Sequence, residues 1–389
     1  MTKPRLHWPL VAYLLVFFVA PLAWLLSLAV REAEVPRALP RTLVALQGWS
    51  AGQALPGPLW PAFAQDLVAA REAGTLADAA RRLNYEVGGV RSSLMAAARR
   101  VGGAEAGTAF DAGFFGGVDE NLAAPAFFAA VQRARGPVSA FYLLSALDLG
   151  RDARGDIERA PEASRIYLGV LGRTLGISLT VTLLCLALGF PVALLLTQVQ
   201  QRTADWLMIL VLLPFWTSLL VRTTAWVVLL QTEGPVNDLL LALGLTDHRL
   251  QLIFSRFGTI VAMTHIQLPF TLLPIYSVMK TISPNYVRAA RSLGAGPFSA
   301  FWQIYFPQTM PGIAAGCLLT FILCLGYYIT PALVGGPTDQ MISYFVANYT
   351  NRELNWGQAS ALGAILLLGT LILYAVYNKL VGIDKMKLG

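Results

Sequence analysis

The sequence predicts an all-α integral membrane protein with six transmembrane helices and a helical insertion outside the membrane. Three observations predict it. Of 389 residues, 56% are hydrophobic and 13% charged, with a mean hydropathy of +0.58, too apolar for a soluble domain. Six windows, at about 8–30, 167–196, 206–230, 257–279, 312–334 and 357–379, reach the roughly 20 apolar residues that a span needs. Basic residues in the short connections also alternate between two sides, as membrane topology requires.

Residues 1–30 form an N-terminal tail and the first span. The apolar run is too long for the core of a signal peptide. Arg31–Glu32–Ala33–Glu34 follows it in place of a small-residue cleavage pattern, so the span is read as retained. Residues 31–165 form the insertion, with a proline-rich lead-in over Val35–Pro61. Residues 62–101 read as helices, because Leu67, Leu76, Leu83, Val90 and Leu94 recur with charged residues between them. Gly102–Gly117 reads as loop, and a second helical pair follows at about 121–134 and 138–147, ending at Asp148–Leu149–Gly150. The length permits a small independent domain.

Residues 166–389 hold the other five spans, interrupted at Gly189–Pro191, Pro214, Pro269, Pro274 and Pro331. Membranes tolerate such breaks where neighbouring helices or a water-lined path satisfy the freed backbone. Gly312–Ile313–Ala314–Ala315–Gly316 is a small-xxx-small pattern that permits close helix approach. Lys3, Arg5, Arg202, Lys280, Arg288, Arg291, Lys379, Lys385 and Lys387 fall on one side, against Arg249, Arg256 and Arg352 on the other. The positive-inside rule therefore puts both termini and the loop 280–311 in the cytoplasm, and residues 31–165 outside. The insertion carries 15 acidic and 15 basic residues, so the net charge of +7 comes from the membrane part. That excess reports orientation. No motif supports nucleic-acid binding.

Chemistry-bearing motifs are absent: no phosphate-binding loop, zinc spacing, nucleophile elbow or paired histidines occur. The chain reads as a non-enzyme with no metal and no cofactor of its own. Cys185, Cys317 and Cys324 lie inside spans as small packing residues, and the insertion has none to staple it. His7, His248 and His265 are far apart, and His265, within the fourth span, reads as a packed or hydrogen-bonded histidine. Arg222 sits roughly 12 Å inside the third span, counting eight residues from Leu230 at 1.5 Å each. It either snorkels to the headgroups or lines a polar path. No Asp or Glu occupies the interior of a span, so a cation inside the membrane would have to meet aromatic faces. Trp216, Trp226, Tyr327 and Tyr328 are available for that, or else for packing and interfacial anchoring.

The stretch Pro284–Gly312 is the part that hydrophobicity does not explain. Ser283 can cap a helix that starts at Pro284, Ala289 and Ala290 present a small surface, and Gly294 suits the position after the helix end. Phe298, Phe301, Trp302 and Tyr305 then give an aromatic face before Pro307, which reads as a stop. Such a knob can seat in another protein, or lie on lipid headgroups.

Arg288–Ala289–Ala290–Arg291–Ser292–Leu293–Gly294–Ala295, with Ile304–Tyr305–Phe306–Pro307 separated from Gly294 by nine residues, resembles the EAA loop of type I ABC-importer permeases. That loop reads Glu-Ala-Ala, three residues, Gly, nine residues, then Ile-x-Leu-Pro. Pro214–Phe215–Trp216–Thr217, Val221–Arg222–Thr223 and Gly326–Tyr327–Tyr328–Ile329–Thr330–Pro331 resemble the spermidine/putrescine branch of that family. The resemblance implies a MetI-like permease fold over residues 166–380 and import by alternating access. It implies that Arg288, Ala289, Ala290, Arg291, Leu293, Gly294 and Ala295 dock on a cytoplasmic ATPase dimer, which carries the ATP and Mg. It further implies a second permease subunit, more readily a different chain, and a periplasmic solute-binding protein. The path candidates are Arg222, Thr223, Trp226, Tyr327, Tyr328 and Thr330. Two departures stand out: Arg288 occupies the family's Glu position, and the core does not require residues 31–165. Polyamine-like solutes, zwitterionic or anionic solutes, a receptor or scaffold with an outer ligand domain, and a passive channel all stay open.

Overall fold

The computed structural model describes residues 8–105, 107–152 and 155–381, so Lys3, Arg5, His7, Lys385 and Lys387 lie outside the described residues. Two compact units emerge. The first comprises the residues up to Ile166 with Asn355–Ala361, and the second comprises Tyr167–Leu354 with the residues from Leu362 onward.

In the first unit, helices α1 (Leu59–Glu72), α2 (Leu76–Asn84), α3 (Val90–Gly102) and α4 (Pro125–Arg133) surround a core in which Phe63, Phe115, Phe127 and Phe128 are fully buried. The five recurring apolar positions, Leu67 to Leu94, are all buried in it. Each such side chain contributes roughly 1.5–3 kcal/mol, which is how a unit without disulfides holds together. Three stretches differ from the sequence expectation. The proline-rich lead-in folds as short helices Glu34–Ala38 and Pro40–Ala45, the second tied to α1 where Asp66 accepts from Thr42 N and Oγ1 at 2.7 and 2.8 Å. The glycine-rich loop contains the helix Ala112–Gly116, capped by Asp111, because Phe115 is drawn into the core. Beyond Asp148, β1 (Leu149–Arg151) pairs antiparallel with β2 (Ile157–Arg159), so the insertion is not purely helical.

Arg82, 2% exposed, is the charged residue at the centre of this unit. It pairs with Glu32 and Glu86 at 2.9 Å each, stacks 3.4 Å over the Phe141 ring, and shares Glu86 with Arg133 at 2.6 Å. Burial pushes the Glu32 carboxyl up, and the Arg82 guanidinium opposes that. Arg82→Ala should cost about 3–5 kcal/mol, because it leaves the buried Glu32 carboxylate uncompensated, while Glu86 keeps Arg133. Hydrogen exchange on the purified chain should show α2 amides opening several hundredfold faster; unchanged protection there would show the network to be energetically idle.

Five helices among the described residues are long and apolar enough to cross a membrane: Trp8–Ser27, Tyr167–Gln198, Arg256–Thr281, Pro297–Leu325 and Trp356–Lys379. A sixth span arises if a bent pair, Gln201–Trp216 and Leu219–Ala242, is counted as one. The Trp8–Ser27 helix buries none of its residues within the protein.

The second unit begins with α5 (Tyr167–Gln198) and α6 (Gln201–Leu212), followed by α7 (Leu219–Leu230). Window 206–230 is therefore not one straight helix. Pro214 withdraws an N–H, a 3₁₀ turn covers Leu213–Trp216, and Thr217 and Ser218 are extended. The two arms lie 96° apart. Next come α8 (Arg256–Thr281), the loop helix α9 (Pro284–Ser292), α10 (Phe306–Leu325) and α11 (Ile329–Val334).

Helix α8 is the centre of this unit, with α5 and α10 against it. A Cβ at Gly316 would lie 2.6 Å from Thr271 O, and one at Gly312 would lie 2.9 Å from Pro274 O. One turn beyond Gly316, Thr320 and Thr271 hydroxyls meet at 2.5 Å. The small-xxx-small pattern is thus the α8–α10 seam. Cys185 and Cys324 are buried and Cys317 is half-buried; all three are free thiols used in packing.

Candidate functional site

The break after Trp216 sets α7 going in a new direction, and its residues meet α8 and α11. Arg222 and Trp226 are one turn apart and so share a face. Trp226 Nε1 donates to His265 Nδ1 at 3.2 Å, with the rings edge to face at 5.5 Å. Thr223 Oγ1 bonds back to Leu219 O at 2.9 Å and meets Thr330 Oγ1 at 3.1 Å, locking α7 to α11. Arg222 is half-buried, and its Nε has no hydrogen-bond partner among the described residues. Tyr327 is half-buried, with its carbonyl held by Ser343 Oγ at 2.6 Å, and Tyr328 is more open.

Two hydrogen bonds join path candidates to neighbouring helices: Trp226 to His265 of α8, and Thr223 to Thr330 of α11. His265 is hydrogen-bonded, as its setting in the span suggested. Trp216 differs: it is 72% exposed and makes no ring contact with the others among the described residues, so it is not part of an aromatic cage here. Sequence reading passed over Thr264, Gln267 and Thr271, which follow one stripe of α8 at spacings of three and four and are buried. Thr264 Oγ1 and Gln267 Nε2 have no partner among the described residues. That stripe was readable as polar residues at helical spacing inside an apolar run.

The loop is built as a rigid knob. Ser283 Oγ accepts from Asn285 N at 3.3 Å, and Pro284 takes the first turn of α9. The helix ends with Gly294 at φ +90°, its N–H bonding Arg291 O, and Ala295 N–H closing onto Ala290 O, each at 3.0 Å. That left-handed closure is what glycine supplies without strain. Arg288, Ala289 and Arg291 are exposed, and Leu293 is 89% exposed. Behind the knob, Phe301 and Phe306 pack on Phe190 of α5, and Trp302 meets Phe306 at a tilt, with ring centroids 4.7 Å apart. Pro307 does not stop the helix. A π turn over Phe301–Tyr305 shifts the hydrogen-bond register, leaving Pro307 in the first turn of α10, where a missing N–H costs little.

Long apolar helices, one of them broken beside a polar cluster, and an exposed capped knob between two others make a membrane permease. Residues 167–381 match the family described as the binding-protein-dependent transport system inner membrane component, and the chain belongs to it. It is a permease subunit of an ABC import system. Among its relatives, the spermidine/putrescine transport system permease protein PotB of Escherichia coli (strain K12) is 33% identical over 210 residues, covering 54% of this chain and 76% of that one. PotB of Haemophilus influenzae is 32% identical over 218 residues, covering 55% and 76%. The inner membrane ABC transporter permease protein YdcU of Escherichia coli is 31% identical over 220 residues, covering 54% and 69%. A bacterial alginate ABC transporter, solved with an alginate pentasaccharide-bound periplasmic protein, matches with 21% identity and a TM-score of 0.46 over 58% of this chain and 81% of its own. The family match leaves residues 1–166 outside it.

Proposed function

We propose that this permease moves a polyamine-like cation inward by alternating access, driven by ATP hydrolysis on a separate cytoplasmic ATPase dimer that binds ATP and Mg. The observation that carries the coupling is the knob itself: a capped, exposed helix with small alanines and an outward leucine, backed by aromatic packing onto α5. A rigid body of this kind passes displacement on to the spans. The loop and both termini face the cytoplasm of the inner membrane, residues 31–165 face the periplasm, and a solute-binding protein docks from that side.

The polyamine class rests on the names of the relatives. With no carboxylate in the six apolar windows, recognition falls to the faces of Trp226 and Tyr327. Arg222 favours a second reading, in which a zwitterionic or anionic solute answers its guanidinium, whose buried Nε has no partner among the described residues. Arg288 at the family's Glu position supports pairing with a different permease chain that keeps the acid.

The test is reconstitution with the co-purified partners. The chain alone should hydrolyse no ATP, and the complex should take up labelled spermidine with hydrolysis raised severalfold by loaded binding protein. Uptake that persists without ATP would make it a passive channel; a complex that contains no ATPase would make it a receptor or scaffold.

A further inference from the structure

Beneath the knob lies a cavity to which Arg288 and Arg291 of the docking helix also contribute. The C-terminal ends of α5 and α8, the helix α9 and the start of the next span border a partly open cavity of about 590 Å³. Lys280, Arg288 and Arg291 all line it. None of the three forms an ion pair among the described residues. Arg249 and Arg256, the cations placed by sequence on the opposite side, do find acids, Asp238 at 2.8 Å and Asp339 at 2.9 Å. Lys280 Nζ instead donates to Gln201 Oε1 at 3.3 Å and stands 5.6 Å from the Tyr276 ring, while the Gln201 amide is spent on Asp205 at 2.7 Å.

Three like charges lining one cavity, none of them ion-paired among the described residues, set up a positive potential that attracts an anion. The remaining lining says which anion. Thr197, Gln198 and Tyr305 add polar groups, whereas Leu194, Met279 and Phe301 make an apolar wall. Guanidinium groups grip phosphate bidentately, an ammonium adds a point charge, and the wall suits a hydrocarbon neighbour. A transported cation would be repelled here, which separates the cavity from the path around Arg222. Basic cavities between helix ends at the cytoplasmic surface suit anionic headgroups. We propose that this cavity binds a phosphate group, from an anionic lipid headgroup or from free phosphate, clamping α9 to the ends of α5 and α8. The lipid source rests on the cytoplasmic placement proposed above, but binding itself does not depend on ATPase docking.

The test is native mass spectrometry of the purified full chain with phosphatidylglycerol, phosphatidylcholine or inorganic phosphate. A lipid site retains phosphatidylglycerol at least tenfold over phosphatidylcholine. In a site for free phosphate, inorganic phosphate itself is retained and no lipid preference appears. In either case the Lys280→Gln, Arg291→Gln double variant should bring retention to within twofold of background, and Lys280→Arg should keep it. Matched thermal unfolding of the variants in lipid-free detergent shows that they fold. Retention of neither ligand, or retention unchanged in the folded double variant, overturns the proposal. Because the readout needs no ATPase, loss of coupling and loss of phosphate binding can be told apart.

Discussion

Replacing Gly316 with leucine should abolish the folded second unit. Even the first added carbon would lie 2.6 Å from Thr271 O and 3.2 Å from Thr271 Cα, both backbone atoms that cannot swing away. Gly312, one turn earlier, is also tight, with Pro274 O at 2.9 Å and Ile275 Cα at 3.0 Å. Helix α10 would have to lift off α8 along two turns, breaking the Thr271–Thr320 bond and opening the packing of Leu272 and Ile275. Lipid offers no compensating hydrophobic drive, since its tails are as apolar as the side chains they would replace. A cost of about 3 kcal/mol or more follows, the upper part of the range for overpacked cores. Gel filtration of detergent-extracted chain should show the monodisperse peak gone for Gly316→Leu and reduced for Gly316→Ala. Gly369→Ala, where an added carbon meets nothing within 4 Å, should elute as the parent does. A normal peak for Gly316→Leu would mean that the seam is not where the two helices are held.

That seam shows what a sequence can and cannot say. Gly312 and Gly316 are visible at once, but their partner lies some forty residues upstream, and hydropathy does not register which helix a glycine face meets. The break in window 206–230 was hidden for a related reason. A hydropathy window averages over roughly twenty residues, and two extended residues inside it change the path by 96° without changing the average. Pro214 was the local sign. Pro307 misled in the opposite direction, because the π turn before it moves the hydrogen bond that proline would have broken. Arg222, Thr223 and Trp226 were legible together, being on one helix, whereas their junction with His265 and Thr330 is tertiary. The cap geometry of α9 was fully readable, since Ser283, Pro284 and Gly294 act only on their immediate neighbours. The cavity beneath it was not, as Lys280, Arg288 and Arg291 look in sequence like an ordinary positive-inside cluster.

Leu293→Asp should uncouple the transporter while leaving the chain folded. Leu293 is 89% exposed, so its side chain contributes almost nothing to the packing of its own unit. An exposed leucine at the tip of a rigid knob has no internal reason to be apolar, whereas seating in a partner groove is one. Central apolar anchors in interfaces contribute about 2 kcal/mol or more when truncated, and burying a carboxylate in their place adds its desolvation. Hydrolysis stimulated by loaded binding protein should therefore fall at least thirtyfold, with uptake falling in parallel, while the thermal unfolding of the isolated chain stays where it was. Gly294→Val supplies the complementary loss. A β-branched residue at φ +90° is strained, so the closure from Ala295 to Ala290 should open and the knob should lose its shape rather than its contact. Retained stimulation in Leu293→Asp, with the ATPase still bound, would place the docking contact elsewhere on the loop. Loss in both variants, with folding kept in the first, separates contact from rigidity and makes the transmitting element the knob as a body.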